Sequence, residues 1–270
     1  MTSRPAEAEE RPLPAVPPAF HWTSESWGSA LRCRPLEAVA RHLVTTRQLR
    51  LTDADDVREL GRALGVDRVA MVTQVHKAGV IVLRRGDAPM ASRPEADILV
   101  SNDPEVAIAV RAADCVPVLL ADRMTGAVAA VHAGWRGTAA GAARVAVEAL
   151  SRTFGVRPEN LVAAIGPSIG SCCYEVGTEL VDAFAAAGHE RYLIDRWFLS
   201  PPPARGSRAR APLFLDVAGA NRDQLLLAGM PEQNVHVSGL CTAMTLALFP
   251  SFRAEKAQAG RIAAAIVARR

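Results

Sequence analysis

A chain of 270 residues, half of them hydrophobic, can bury a sizeable core and reads most simply as one large domain. Its formal charge of +3 comes from basic residues scattered without a long Lys/Arg block or aromatic interleaving, which argues against a nucleic-acid partner. No stretch is long and apolar enough to span a bilayer and the five cysteines form no regular framework, so a soluble protein of a reducing, cytoplasmic compartment is expected.

The first residues, MTSRPAEAEERPLPAVPPAF, place acids and prolines where a secretory signal would carry an apolar core. Pro, Glu and Ala offer too little apolar area to offset chain ordering. Residues 1–35 are therefore predicted to be a poorly ordered extension, and 36–270 a single domain. PLEAVARHLVTTR (35–47) predicts a short helix running into a strand, and DADDVRELGRALG (53–65) a helix with an acidic first turn and a glycine stop. DRVAMVTQVH (67–76) is β-branched and predicts a strand. ADILVS, VAIAVRAAD, PVLLAD and GAVAAVHA predict four more, the last two joined by a turn from Arg123 to Gly126. The Ala-rich run 138–153 predicts one long helix just after the glycines of HAGWRG.

Farther on, NLVAAIGPSIGSCCYEVG (160–177) predicts a buried strand and a glycine- and serine-rich loop, followed by a helix over ELVDAFAAAG. RWFLSPPPARGSRARAP (196–212) reads as an irregular excursion. FLDVAGANRDQLLLAGM is a strand running into a helix, and NVHVSGLCTA another strand. Periodicity leaves AGRIAAAIVARR open between strand and helix. The mixture holds too many short strands for a doubly wound sheet. It points to an α+β fold with mixed sheets.

His76, Cys115 and His132 each stand at the end of an apolar run. Structural zinc modules close four ligands in short paired steps, whereas Cys115 follows His76 by 39 positions and His132 follows Cys115 by 17, so the three must be assembled by tertiary folding. If they converge, two imidazoles and a thiolate leave a fourth metal position free for chemistry. Taken singly, Cys115 also suits a small buried hydrophobe, and each histidine a satisfied loop residue. Cys172 and Cys173 are adjacent and, as neighbours in a strand, would point apart, so a packed loop is expected there, with Tyr174 and Glu175 near the pocket.

ADILVSNDPEVAIAVRAADCVPVLLADRMTGAVAAVHAGWRG, AIGPSIGSCCYEVG, the LCT at Cys241 and FPSFRAEKAQAGR resemble the bacterial multicopper polyphenol oxidase or laccase-domain family, also described as purine nucleoside phosphorylase-like. The resemblance runs from about His42 nearly to the last residue. It implies a four-layer α-β-β-α sandwich and a zinc ion (Zn2+) held by His76, Cys115 and His132. It also implies phosphorolysis of adenosine, inosine, guanosine and methylthioadenosine, and deamination of adenosine. On that reading Cys115, His132 and Arg136 are catalytic, while Arg47, Gly134, Arg136 and Gly137 meet the nucleoside or phosphate. The Arg136 guanidinium and the N–H groups of 134–138 would cradle the anion. Asp114 would orient a liganding histidine or shuttle protons. A protein partner or homo-oligomer would also suit the family.

Two departures bear on the substrate. Family members follow the S-T-R strand with a long nucleoside-side segment, whereas Arg47 here is followed only by QLRLTDADDVRELG, and Lys77 replaces a glycine. A peptidoglycan-precursor editing hydrolase, implied for some relatives, and a non-catalytic zinc-binding protein are the competing readings. Laccase chemistry is disfavoured, since a blue-copper site plus a trinuclear cluster needs many histidines in H-x-H pairs and this chain has six without one such pair. The H-x-E and P-C-x-x-C signature of nucleobase deaminases is also absent.

Overall fold

Along Val106–Ala112, Ile108 and Val110 point to one side and Ala107 and Ala109 to the other, and both sides are buried. A strand apolar on both faces needs a layer above and a layer below. The computed structural model, which describes residues 12–201 and 211–269, provides them. In chain order its first elements are β1 (Phe20–Glu25), β2 (Gly28–Cys33), α1 (Arg34–Glu37), β3 (Arg41–Thr45), α2 (Ala54–Ala63) and β4 (Arg68–Ala70). β5 (Val80–Leu83), β6 (Ile98–Ser101), β7 (Val106–Ala112), β8 (Val116–Asp122) and β9 (Val128–Ala133) follow. Next come α3 (Trp135–Ala139), α4 (Ala142–Phe154), β10 (Leu161–Ile165), β11 (Glu175–Val176), α5 (Glu179–Ala186), α6 (Arg191–Trp197) and β12 (Phe198–Leu199). The remainder is β13 (Leu213–Leu215), α7 (Val217–Leu227), β14 (Val235–Val237), α8 (Phe252–Glu255) and β15 (Ile262–Val267).

Two six-stranded sheets stack face to face, in the orders β1-β2-β3-β15-β7-β4 and β14-β10-β8-β9-β6-β5. Both are mixed: β4 runs parallel to β7, β5 to β6 and β14 to β10, and the other pairs are antiparallel. Leu31, Val44, Ile108 and Ile266 of the first sheet meet Leu99, Leu119, Val128 and Val162 of the second in the shared core. The outer face of the first sheet is covered by Leu60 and Leu64 at α2, packed on Ala107, Ala109, Ala263 and Ala265. Outside the second lie Ala146 and Leu150 of α4, Phe184 of α5, Trp197 of α6 and Leu225 of α7. The fold is thus the α+β, four-layer α-β-β-α sandwich that the motifs implied. A small β11-β13-β12 sheet sits beside it. No helix among the described residues is long and apolar enough to cross a membrane.

Several expectations change. Phe20–Cys33 is a β-hairpin paired on to β3, not part of a loose extension; Phe20 is buried in the shared core. Residues 1–11 lie outside the described residues. The strand expected over 67–76 shortens to β4, because the chain then turns to present His76 at φ +60°. The helix expected over 138–153 is two helices, split where Gly141 adopts φ +75°. The excursion at 196–212 begins within α6 and β12, and its residues 202–210 lie outside the described residues. The segment left open near Ile262 is a strand, flanked on both sides by partners.

Candidate functional site

His76, Cys115 and His132 converge at one end of the second sheet: a ligand atom from each lies within 4.8 Å of the others. The two imidazoles meet edge to face, with centroids 4.9 Å apart. His132 is fixed by β9, opposite Pro117 of β8, and Cys115 by the corner between β7 and β8. That corner turns at Asp114, whose φ is +84°. His76 sits on the loop that enters β5. Such spacing lets the three donors share one metal ion. No fourth His, Cys, Asp or Glu joins them among the described residues.

Asp97, fully buried at the start of β6, organises both histidines. Its Oδ1 accepts from His132 Nδ1 at 2.8 Å and from the His76 N–H at 3.0 Å; its Oδ2 accepts from the Lys77 N–H at 2.7 Å and the Val75 N–H at 3.3 Å. Burial works against the carboxylate, but hydrogen bonds from His132 and the two loop amides outweigh it and hold Asp97 below the usual carboxylate range. Because Nδ1 of His132 is committed to Asp97, Nε2 is left for Cys115 or a metal. Burial alone would raise the Cys115 thiol, yet the hydrogen bonds and charge of His132 and His76 bring it down to about 7. His132 is pulled down by burial and pulled up further by Asp97 and Cys115, to about 9. Both shifts favour a thiolate beside an imidazolium in the absence of metal.

Gly134, which begins α3, has a steric role. A Cβ there would lie 2.8 Å from Cys115 Sγ and 3.3 Å from His76 Cδ2, so only glycine lets the chain pass this close to the donors. α3 is pinned from behind by α7: Asn221 Nδ2 donates to Thr138 Oγ1 at 2.8 Å, and Gln224 Nε2 to the Thr138 carbonyl at 2.7 Å.

The donors open into a cleft of about 990 Å³. Arg93, Arg111, Arg136, Arg253, Lys256 and Arg261 are among its walls, and Asp114 is the acidic residue in its lining. Burial, and then repulsion from Arg93 and Arg261, depress the Arg111 guanidinium, in keeping with the positive charge gathered along these walls. Arg136 is exposed and lies over the Trp135 ring at 4.1 Å. Tyr174 also faces the cleft, with Arg253 5.1 Å from its ring centroid.

Of the residues singled out in the sequence, Cys115, His132, His76, Gly134, Arg136 and Asp114 share this cleft. Asp114 does not orient a histidine. Its two oxygens take the Thr242 hydroxyl and the Arg253 N–H, each at 2.6 Å, and so tie the later loops to the Cys115 corner. Arg47 lies outside the cleft lining, bound to Glu255 at 2.9 Å and to the Phe249 carbonyl at 3.0 Å; it braces the segment that carries Arg253 and Lys256. Gly137 also lies outside the lining. A Cβ there would meet the Lys77 carbonyl at 3.1 Å, so its smallness serves packing of α3 on the His76 loop. The Thr138 N–H donates to the Gly134 carbonyl and is not open to an anion. Glu175 is drawn into β11. Sequence reasoning missed Asp97, for which the one available cue was an acid at the head of a wholly buried strand. It also missed the basic cleft, whose residues come from distant segments.

A family described as multi-copper polyphenol oxidoreductase laccase matches residues 53–269. A Deinococcus radiodurans protein named purine nucleoside phosphorylase is 37% identical over 215 residues, covering 79% of this chain and 76% of that one. A protein from an unknown prokaryotic organism, named adenosine deaminase RL5, is 34% identical over 219 residues, covering 79% and 80%. The crystal structure of YlmD from Geobacillus stearothermophilus superposes with a TM-score of 0.76 at 32% identity, covering 92% of this chain and 99% of that one. With the family's pattern matched across both sheets and the donor-bearing corner, this chain belongs to the multi-copper polyphenol oxidoreductase laccase family.

Proposed function

We propose that this protein is a zinc-dependent enzyme acting on purine nucleosides, cleaving their glycosidic bond with phosphate and deaminating adenosine. The observation that carries the reading is the two-imidazole, one-sulfur set open to a cleft rich in arginine. The donors suit zinc: the sulfur is already biased toward thiolate, His132 is held in one tautomer by Asp97, and Gly134 leaves room beside the sulfur. Zinc held by His76, Cys115 and His132 would supply Lewis-acid chemistry. The relatives named purine nucleoside phosphorylase and adenosine deaminase support the substrate class.

In phosphorolysis a phosphate oxygen forms a bond to the anomeric carbon as the bond to the purine nitrogen breaks, and the purine leaves with a proton. Arg136, in the cleft lining at the start of α3, would hold the phosphate by charge-assisted hydrogen bonds. The cationic walls favour the anionic co-substrate over water by raising its local concentration. In deamination, water adds at the purine C6 carbon and ammonia departs. Asp97 keeps His132 in place through both reactions and touches neither substrate.

The test is a nucleoside panel with zinc-loaded protein, with and without phosphate. Free purine base should appear when phosphate is present, and inosine should form from adenosine without it. Absence of both products across the panel overturns the assignment.

A further inference from the structure

Cys172 and Cys173, expected to diverge, do not. The tight turn after Gly170, closed by the Cys173 and Tyr174 N–H groups donating to the Gly170 carbonyl at 3.0 Å each, folds both side chains to the same side, with Sγ atoms 3.5 Å apart. Cys241 reaches them from another loop, which is tied on by the bridge between Ser168 and Cys241 and by the Thr242 N–H donating to the Ser168 carbonyl at 3.0 Å. The three sulfurs lie within 4.8 Å of one another, and none of the three cysteines is in a disulfide. The Gly170 N–H donates to Cys241 Sγ at 3.2 Å, a contact that stabilises a thiolate. Gly170 is itself part of the cradle: a Cβ there would stand 3.3 Å from Cys172 Sγ and 3.5 Å from Cys241 Sγ.

We propose that Cys172, Cys173 and Cys241 form a second metal site, which holds a thiophilic d10 cation through three thiolates. Metal–sulfur bonds of about 2.3 Å set the sulfurs roughly 4 Å apart in a three-sulfur site, so the loops need only small adjustments. Binding is ligand exchange without redox change: each sulfur that forms a bond to the metal releases its proton to solvent, and no oxidant takes part. Cys172 is exposed and gives the ion access. No fourth His, Cys, Asp or Glu completes the set among the described residues, which favours soft ions content with three sulfurs over zinc, which prefers four ligands. The bound ion would staple the 170–174 turn, with Tyr174 at the cleft, to the 240–245 loop that Asp114 anchors through Thr242. The site is independent of the nucleoside reading.

The experiment uses the full chain, reduced and anaerobic, titrated with Cd(II) and followed by thiolate-to-metal absorption, with bound metal counted by mass spectrometry. Parallel arms use Zn(II) and Cu(I). Wild-type protein should bind two equivalents of Cd(II), Cys115→Ser one with the thiolate band retained, and Cys172→Ser or Cys241→Ser one with most of that band lost. The second equivalent should be held more tightly for Cu(I) than for Zn(II). A wild-type stoichiometry that is undiminished in both Cys172→Ser and Cys241→Ser overturns the proposal. So does a disulfide among these cysteines that persists in the reduced protein. Cys172→Ser changes an exposed side chain and keeps the test decisive if Cys241→Ser misfolds.

Discussion

Replacing Asp97 by asparagine tests how the two histidines are held. The carboxylate accepts on both oxygens: His132 and the His76 N–H on one, the Lys77 and Val75 N–H groups on the other. An amide accepts on one side only. If its NH2 group faces the loop, two part-buried backbone donors lose their acceptor, at about 1 kcal/mol or more each. If it faces His132, the ring must accept at Nδ1 and carry its proton on Nε2, where a metal would bind. Either orientation damages the site. Asp97→Asn should therefore lose about 2–4 kcal/mol of stability in the metal-free protein and bind zinc about 10–100-fold more weakly. Denaturant unfolding of the metal-free form reads the first effect, and competition against a chelator the second. An asparagine variant with wild-type zinc affinity would refute the assignment of His132 orientation to this carboxylate.

Gly134→Ala should leave the backbone unstrained, since Gly134 has φ −73° and ψ 178°, yet push the new methyl against Cys115 Sγ. The expected result is weaker zinc binding and a fall in kcat/KM of about 100-fold, the scale for a displacement near 1 Å; an unaltered kcat/KM would count against the close approach. Arg136→Ala should raise the KM for phosphate by about tenfold, the loss of one charge-assisted contact, while phosphate-independent deamination changes little. Steady-state kinetics in varied phosphate decides this, and equal loss in both reactions would oppose a phosphate role. His42 supplies a pH signature, because burial, acting against the charged ring, brings its pKa to about 4 from 6.5. Its Nε2 accepts from the Cys33 N–H at 2.9 Å and cannot be protonated without losing that bond. The folded state is then the weaker proton binder, so this contribution is complete above pH 6.5 and declines as the pH falls toward 4. About 2 kcal/mol should vanish between pH 7 and pH 5, and His42→Gln should flatten that slope in denaturant unfolding.

The three donors were legible because each closes an apolar run within a dense motif; the many short strands pointed to a mixed α+β fold, and the four-layer sandwich came from the family resemblance. Asp97 was not legible as their organiser: its partners lie 20 or more residues away in sequence, and only the return of β9 beside β6 brings His132 to it. The Phe20–Cys33 hairpin escaped because much of β1 is only half-buried and its apolar signal is interrupted by polar residues. Gly141 fell inside the single helix expected over 138–153, and its left-handed φ separates α3 from α4. The sulfur cluster failed a rule that is sound for strands, since Cys172 and Cys173 occupy a turn. The cationic cleft is averaged away in a net charge of +3.

β15 lies between β3 and β7 in the middle of the first sheet, although it comes after every other strand in the chain. During synthesis, β3 and β7 are made early and then remain as bare edges, with Ile108 and Val44 uncovered, while the rest of the polypeptide emerges. Long-range closure of this kind is slow, and open edges invite pairing with other chains. The nascent polypeptide is therefore most vulnerable to aggregation just before Ile262–Val267 slots in, and shelter from a chaperone would matter most over that interval.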